Sequence, residues 1–162
     1  MFVTDPVFSA STTRTKIWSD YLRAYGSLNQ VVPVLAAWIG GSFPTAKVDP
    51  DDIDVLWIVD GRQYPTLTPP QGQVVAIFSQ GKALRQATGL AVDTYILPWQ
   101  PIPAPDLLGN PEHVRLAVTR GYWDDFWLRQ AQRSKLMPAT AADSVPRRGY
   151  LEVTYRADYL QP

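Results

Sequence analysis

The 162-residue chain has no cysteine, so it can form neither a disulfide nor a thiolate metal site. Its single histidine, His113, rules out a multi-histidine zinc site within the chain and offers no obvious serine–histidine–acid set. No apolar run approaches 18 residues, so no transmembrane helix and no membrane partner are expected. Charge of one sign is also lacking. Fifteen Lys and Arg balance fifteen Asp and Glu, which leaves no global basic field demanding nucleic acid. The opening MFVTDPVFSASTTRTK shows no basic-then-apolar leader pattern, and the expected location is cytoplasmic. No internal repeat is present. What the chain does have is 46% hydrophobic residues, enough to build a core, and fifteen prolines, which favour extended connections over a helical bundle. One domain over residues 1–162 is expected at this length, with 1–13 flexible and 98–109 a proline-rich connection.

Among the residues present, the organising stretch is WIGGSFPTAKVDPDDIDVLWIVD, from Trp38 to Asp60. An apolar run enters Gly40-Gly41-Ser42, nine residues follow, and Asp52-Ile53-Asp54-Val55 then opens a strand. Side chains along a strand alternate faces, so Asp52 and Asp54 share one face. Adjacent like charges destabilise a strand unless something neutralises them. A hard divalent cation such as Mg²⁺ does so with oxygen ligands, often using only one or two protein carboxylates. A further acid, Asp93, sits within the β-rich run Gly89–Leu97, bracketed by apolar residues.

Gly-Ser, nine residues, then Asp-Ile-Asp-Val, with a third acid on a later strand, resembles the signature of the DNA polymerase β-like nucleotidyltransferase superfamily. The similarity covers roughly residues 38–98. The WIGGSF…DPDDIDV opening and the closing RGYLEV strand also look like small uncharacterised nucleotidyltransferase-like proteins of bacteria and their phages. The resemblance implies a minimal catalytic core of α+β class, a small mixed sheet with helices packed on it. It implies that Asp52, Asp54 and Asp93 hold Mg²⁺ or Mn²⁺ and carry catalysis, with Gly41 and Ser42 cradling the triphosphate of an NTP. Relatives of this kind modify RNA ends, proteins or small molecules, some in toxin–antitoxin settings, so the acceptor stays open. Phe43-Pro44-Thr45 follows Ser42 where active members carry a small residue and an arginine. A catalytically inactive binding or regulatory protein of the same fold is therefore the second reading, and a purely structural αβ domain the third.

A helix is expected from Arg14 to Leu28 after Thr13, its apolar face formed by Ile17, Trp18, Tyr21, Leu22 and Tyr25. Leu35–Ile39 should be the first strand. Lys47 reads either as a triphosphate ligand or as a solvated loop lysine, and Asp49 and Asp51 as turn formers. Residues 61–73 read as a loop, Val74–Phe78 as a β-prone run, and a short helix should end at Thr88. This crossover should bring Val92–Leu97 beside the acid-bearing strand. Asn110-Pro111-Glu112 marks a helix start running to about Arg120; GYWDDFWLRQAQRSK after it also reads as helical, with the stripe Tyr122, Trp123, Phe126, Trp127 and Gln130 as core or as a base-stacking surface. Asp124 and Asp125 read as a solvated helix face or as salt-bridge partners. Arg129, Arg133 and Lys135, like Arg147 and Arg148, read as phosphate ligands or, for the first three, as ordinary helix-end charge. The final strand near Tyr150–Tyr155 suits a sheet edge where a second copy or another protein partner could pair.

Overall fold

The computed structural model describes residues 3, 5–102, 109–129, 138 and 140–155. Arg133, Lys135, Gln130 and the middle of the proline-rich connection, 103–108, lie outside them. Of the N-terminal segment, Pro6–Phe8 form a 3-10 turn capped by Asp5, with Pro6 supplying a preset φ, so this part is not extended. Helix α1, Arg14–Asn29, follows. It buries Ile17, Tyr21, Ala24 and Leu28, a stripe at helical spacing. Thr13 occupies the N-cap position, but its hydroxyl donates to the Pro50 carbonyl at 2.8 Å instead of capping the helix. Nearby, Asp49 accepts from the Thr12 N–H at 2.7 Å. These contacts tie the start of α1 to the loop that precedes the acids.

Strand β1, Val34–Gly40, runs antiparallel to β2, Ile53–Asp60, which in turn runs parallel to β3, Val92–Trp99. Strand β4, Leu151–Thr154, closes the other side of β1, giving a mixed sheet in the order β3-β2-β1-β4. The architecture is α+β, as expected, and β3 lies beside the acid-bearing strand. A parallel pair cannot be joined by a hairpin. The crossover between β2 and β3 holds a 3-10 helix, Gly61–Thr66, then α2, Pro69–Phe78, and α3, Ala83–Thr88. The run Val74–Phe78, β-prone in sequence, is thus helical. A capping box of Thr68 and Gln71 starts α2, and Pro69 and Pro70 fill first-turn positions that need no N–H donor. Helix α4, Pro111–Leu128, joins the two helical stretches read on either side of Gly121 into a single element.

The sheet has a core on each face. Ile53, Val55, Trp57 and Val59 of β2 pack with α1, α2 and α3 on one face. Leu56 and Ile58 pack with Leu97 and with Trp127 of α4 on the other. Strand alternation therefore puts Asp54 and Asp93 on the α4 face, at the starts of their strands.

Candidate active site

Asp54 and Asp93 are direct register partners across the parallel β2–β3 pair. Neighbouring strands are about 4.8 Å apart, so two acids stand side by side. Beneath them β1 ends at Gly40, the partner of Asp54 on its other side. Gly41 has φ +70°, the left-handed region that favours glycine, and a Cβ there would collide with the Asp54 carboxylate. The glycine turn singled out in the sequence thus has a local cause: it lets the chain leave β1 directly against Asp54. Ser42 lies in the turn that follows, where its carbonyl accepts from the Thr45 hydroxyl at 2.7 Å.

Asp93 is 6% exposed, and its Oδ1 is buried without a hydrogen-bond partner. Burial, followed by the nearby Asp52 charge, pushes its carboxyl above the usual range, while Arg85 and Lys82 pull the other way. Asp52 lies just before β2 and is held by Arg85 of α3, Nη1 to Oδ2 at 2.6 Å. Tyr95, two residues beyond Asp93 on the same face, lies where both Asp54 and Asp93 raise its hydroxyl pKa, although burial is the larger cause. From α4, Trp123 tilts onto Tyr95 at 4.5 Å, and the Trp127 ring lies where a Cβ on Gly40 would come within 2.9 Å. The aromatic stripe is therefore split: Trp127 is buried, while Tyr122 and Phe126 are 57% and 46% exposed.

Among the described residues, no group of three or more His, Cys, Asp or Glu is placed to hold a metal ion. The expected triad is a neighbouring pair, Asp54 and Asp93, plus Asp52 engaged by Arg85. The pair fits a hard cation through its unpartnered buried Oδ1 and its all-oxygen donor set, which would make a two-carboxylate site. Lys47 points to Asp51, Nζ to Oδ2 at 2.7 Å, away from a role at the pair, and hydrogen bonding from Lys47 lowers the Asp51 carboxyl pKa. Asp49 binds the start of α1, so it and Asp51 are loop anchors. Arg129 pairs with Asp125, Arg148 donates to the Trp127 carbonyl at 3.1 Å, and Asp124 accepts from the Tyr150 hydroxyl at 2.6 Å.

Three residues unassigned in the sequence matter here. Arg14, 1% exposed, donates to the carbonyls of Phe43, Thr45 and Lys47 at 2.6, 2.8 and 2.6 Å, and so fixes the loop after Ser42. Burial lowers its pKa, with Asp49 opposing. Arg85 and Lys82 approach the acids because α3 leads into the start of β3, which lies beside the start of β2. That crossover was the only sequence signal for them. Two open clefts among the described residues lie elsewhere. One, of about 370 Å³, lies between Tyr64, Leu97 and Leu116; the other, of about 470 Å³, lies between Trp38, Arg120 and Tyr150.

The chain belongs to a family of unknown function, DUF6932, whose model matches residues 1–154. No curated protein and no solved structure matches it. No helix among the described residues is long and apolar enough to cross a membrane.

Proposed function

We propose that this protein is a metal-dependent nucleotidyltransferase that moves a nucleoside monophosphate from an NTP to a hydroxyl on an RNA end, a protein or a small molecule. The observation that carries the reading is the side-by-side placement of Asp54 and Asp93 over a glycine turn, with one buried carboxylate oxygen left without a donor. Asp54 and Asp93 would hold Mg²⁺ or Mn²⁺, which when bound neutralises phosphate charge and leaving-group charge. The chain's own residues do the rest. The turn at Gly41 and Ser42, fixed from behind by Arg14, gives the phosphates a rigid backbone edge. The acceptor hydroxyl forms a new P–O bond at the α-phosphorus, the α–β anhydride breaks, and pyrophosphate leaves. The hydroxyl proton passes to the Asp93 carboxylate, which acts as the base. The cytoplasm, where nucleoside triphosphates are held, is the compartment this chemistry requires.

The Arg85–Asp52 contact favours a second reading, a binding or regulatory protein of the same fold, because one of the three acids is already neutralised within the chain. The deciding experiment supplies each α-labelled NTP with Mg²⁺ or Mn²⁺ to the protein together with cellular RNA and protein, in parallel with Asp52→Ala/Asp54→Ala. Label transferred by the wild type alone is the expected result, and the labelled band names the acceptor. Absence of label under every nucleotide and metal would reject the enzyme and leave the binder.

A further inference from the structure

Among the described residues, the cations that the sequence suggested as phosphate ligands have other partners, Arg147 included, whose Nη2 donates to the Ala142 carbonyl at 3.4 Å. Lys47 is paired with Asp51, Arg129 with Asp125, and Arg148 with the end of α4. Arg14 is committed to three loop carbonyls. The cations whose charge reaches Asp93 are Arg85 and Lys82, both on or at the edge of α3. Arg85 is 38% exposed in its side chain and rests on Asp52. Lys82 is exposed, with no ion pair to any described residue. A partly exposed arginine held by one carboxylate can exchange it for phosphate oxygens at small cost, since its planar donor fork suits both. Beside it, the unpartnered Asp93 oxygen marks where a cation would sit.

We infer that Lys82 and Arg85 form the polyphosphate clamp of the site, and that the Arg85–Asp52 ion pair is its resting lock, opened when the β- and γ-phosphates of a nucleotide take Arg85 over. This rests on the reading of the acids as a nucleotide site. It commits the substrate to a nucleoside di- or triphosphate, because a monophosphate bound at the acids would leave Arg85 on Asp52. Once Arg85 moves, Asp52, whose charge already bears on Asp93, is free to join the pair, and the three acids can then act together. Arg85 and Lys82 are thus positioning and specificity residues of the donor, distinct from the groups that handle the reacting hydroxyl.

The test is binding of ATP, ADP, AMP and inorganic tripolyphosphate, each with Mg²⁺, by calorimetry to wild type, Lys82→Ala, Arg85→Gln and Arg85→Lys. Wild type is expected to rank ATP and tripolyphosphate above ADP, and ADP well above AMP. Arg85→Gln should weaken ATP and tripolyphosphate about tenfold or more while leaving AMP unchanged, Lys82→Ala should do so less, and Arg85→Lys should recover part of the loss. A general folding defect would weaken all ligands together and lower the Tm, and that pattern would overturn the clamp. Unchanged triphosphate affinity in Arg85→Gln would also overturn it while leaving the nucleotidyltransferase reading standing. Wild type that binds no phosphate ligand would remove both.

Discussion

Asp93 carries a cost that its neighbours do not remove. It is buried, one of its oxygens has no donor, and Asp52 adds a like charge. A carboxyl whose folded pKa is raised binds its proton more tightly in the native state, so stability falls as pH rises from the ordinary carboxylate range through the raised value. Asp93→Asn is therefore expected to raise the Tm at pH 7, to show no such gain at pH 3, and to lose nucleotide transfer. Thermal melts at the two pH values check it, and a lower Tm at pH 7 would show that the charge is compensated. At this scale the sequence was informative only where chemistry and spacing coincide. The placement of Gly41, Asp54 and Asp93 together is legible because strand alternation and a left-handed turn leave marks in order. That of Arg14, Lys82 and Arg85 is not, because an arginine opening a helix or lying in ALRQATG looks the same whether it faces water, a carbonyl or a carboxylate. Lys47 reads either as a triphosphate ligand or as a loop lysine, and in the structure it pairs with Asp51.

The crossover decides which side chains meet the acids. Helix α2 depends on its first turn, where the Thr68 hydroxyl donates to Gln71 Oε1 at 2.9 Å. Thr68→Ala is expected to lower stability by about 1 kcal/mol in urea melts, with the midpoint shifted and the slope kept. A loss well above that would point to tertiary contacts of the Thr68 methyl. The run Val74–Phe78 shows why this element was misread. Val-Val-Ala-Ile-Phe favours a strand on local preference, yet Val75 and Phe78 are three apart and face the α1 side of the sheet, a spacing only a helix uses. The signal lay upstream, in a Thr-Pro-Pro-Gln start that was taken for loop. Helix α4 was half legible. Its Asn110 cap is legible, and Asn110 Oδ1 accepts from the Glu112 N–H at 2.9 Å; that the stretches on either side of Gly121 are one helix is not.

Across the whole molecule, the sheet order places the shortest strand at an edge. Strand β4 covers one side of β1, and Tyr155 just beyond it hydrogen-bonds the buried Tyr21 hydroxyl and stacks on Tyr25 at 4.3 Å. Burial, set against the bond to Tyr21, raises the Tyr155 pKa to about 12, so this contact holds through neutral and mildly alkaline pH. Truncation after Gly149 would expose the edge of β1, whose residues are buried over Ala36–Gly40. The shortened chain is expected to elute as aggregate in size-exclusion chromatography, and a monomer with wild-type Tm would refute it. The mixed class and the parallel neighbour of the acid strand were readable from the chain, because a helix-bearing crossover allows little else. That the last strand would lie against the first was not, since no local pattern encodes a pairing between residues as far apart as Trp38 and Glu152.

That pairing sets a schedule for a chain emerging from the ribosome. Strands β1, β2 and β3, and with them the two neighbouring acids, are complete once Trp99 is made. The strand that shields β1 comes 52 residues later (151 − 99). At about 5–20 residues per second that is roughly 3–10 s. During this interval the nascent protein holds an assembled acid pair beside an apolar strand with an open flank, and it is over this interval that nascent-chain chaperones would act on it.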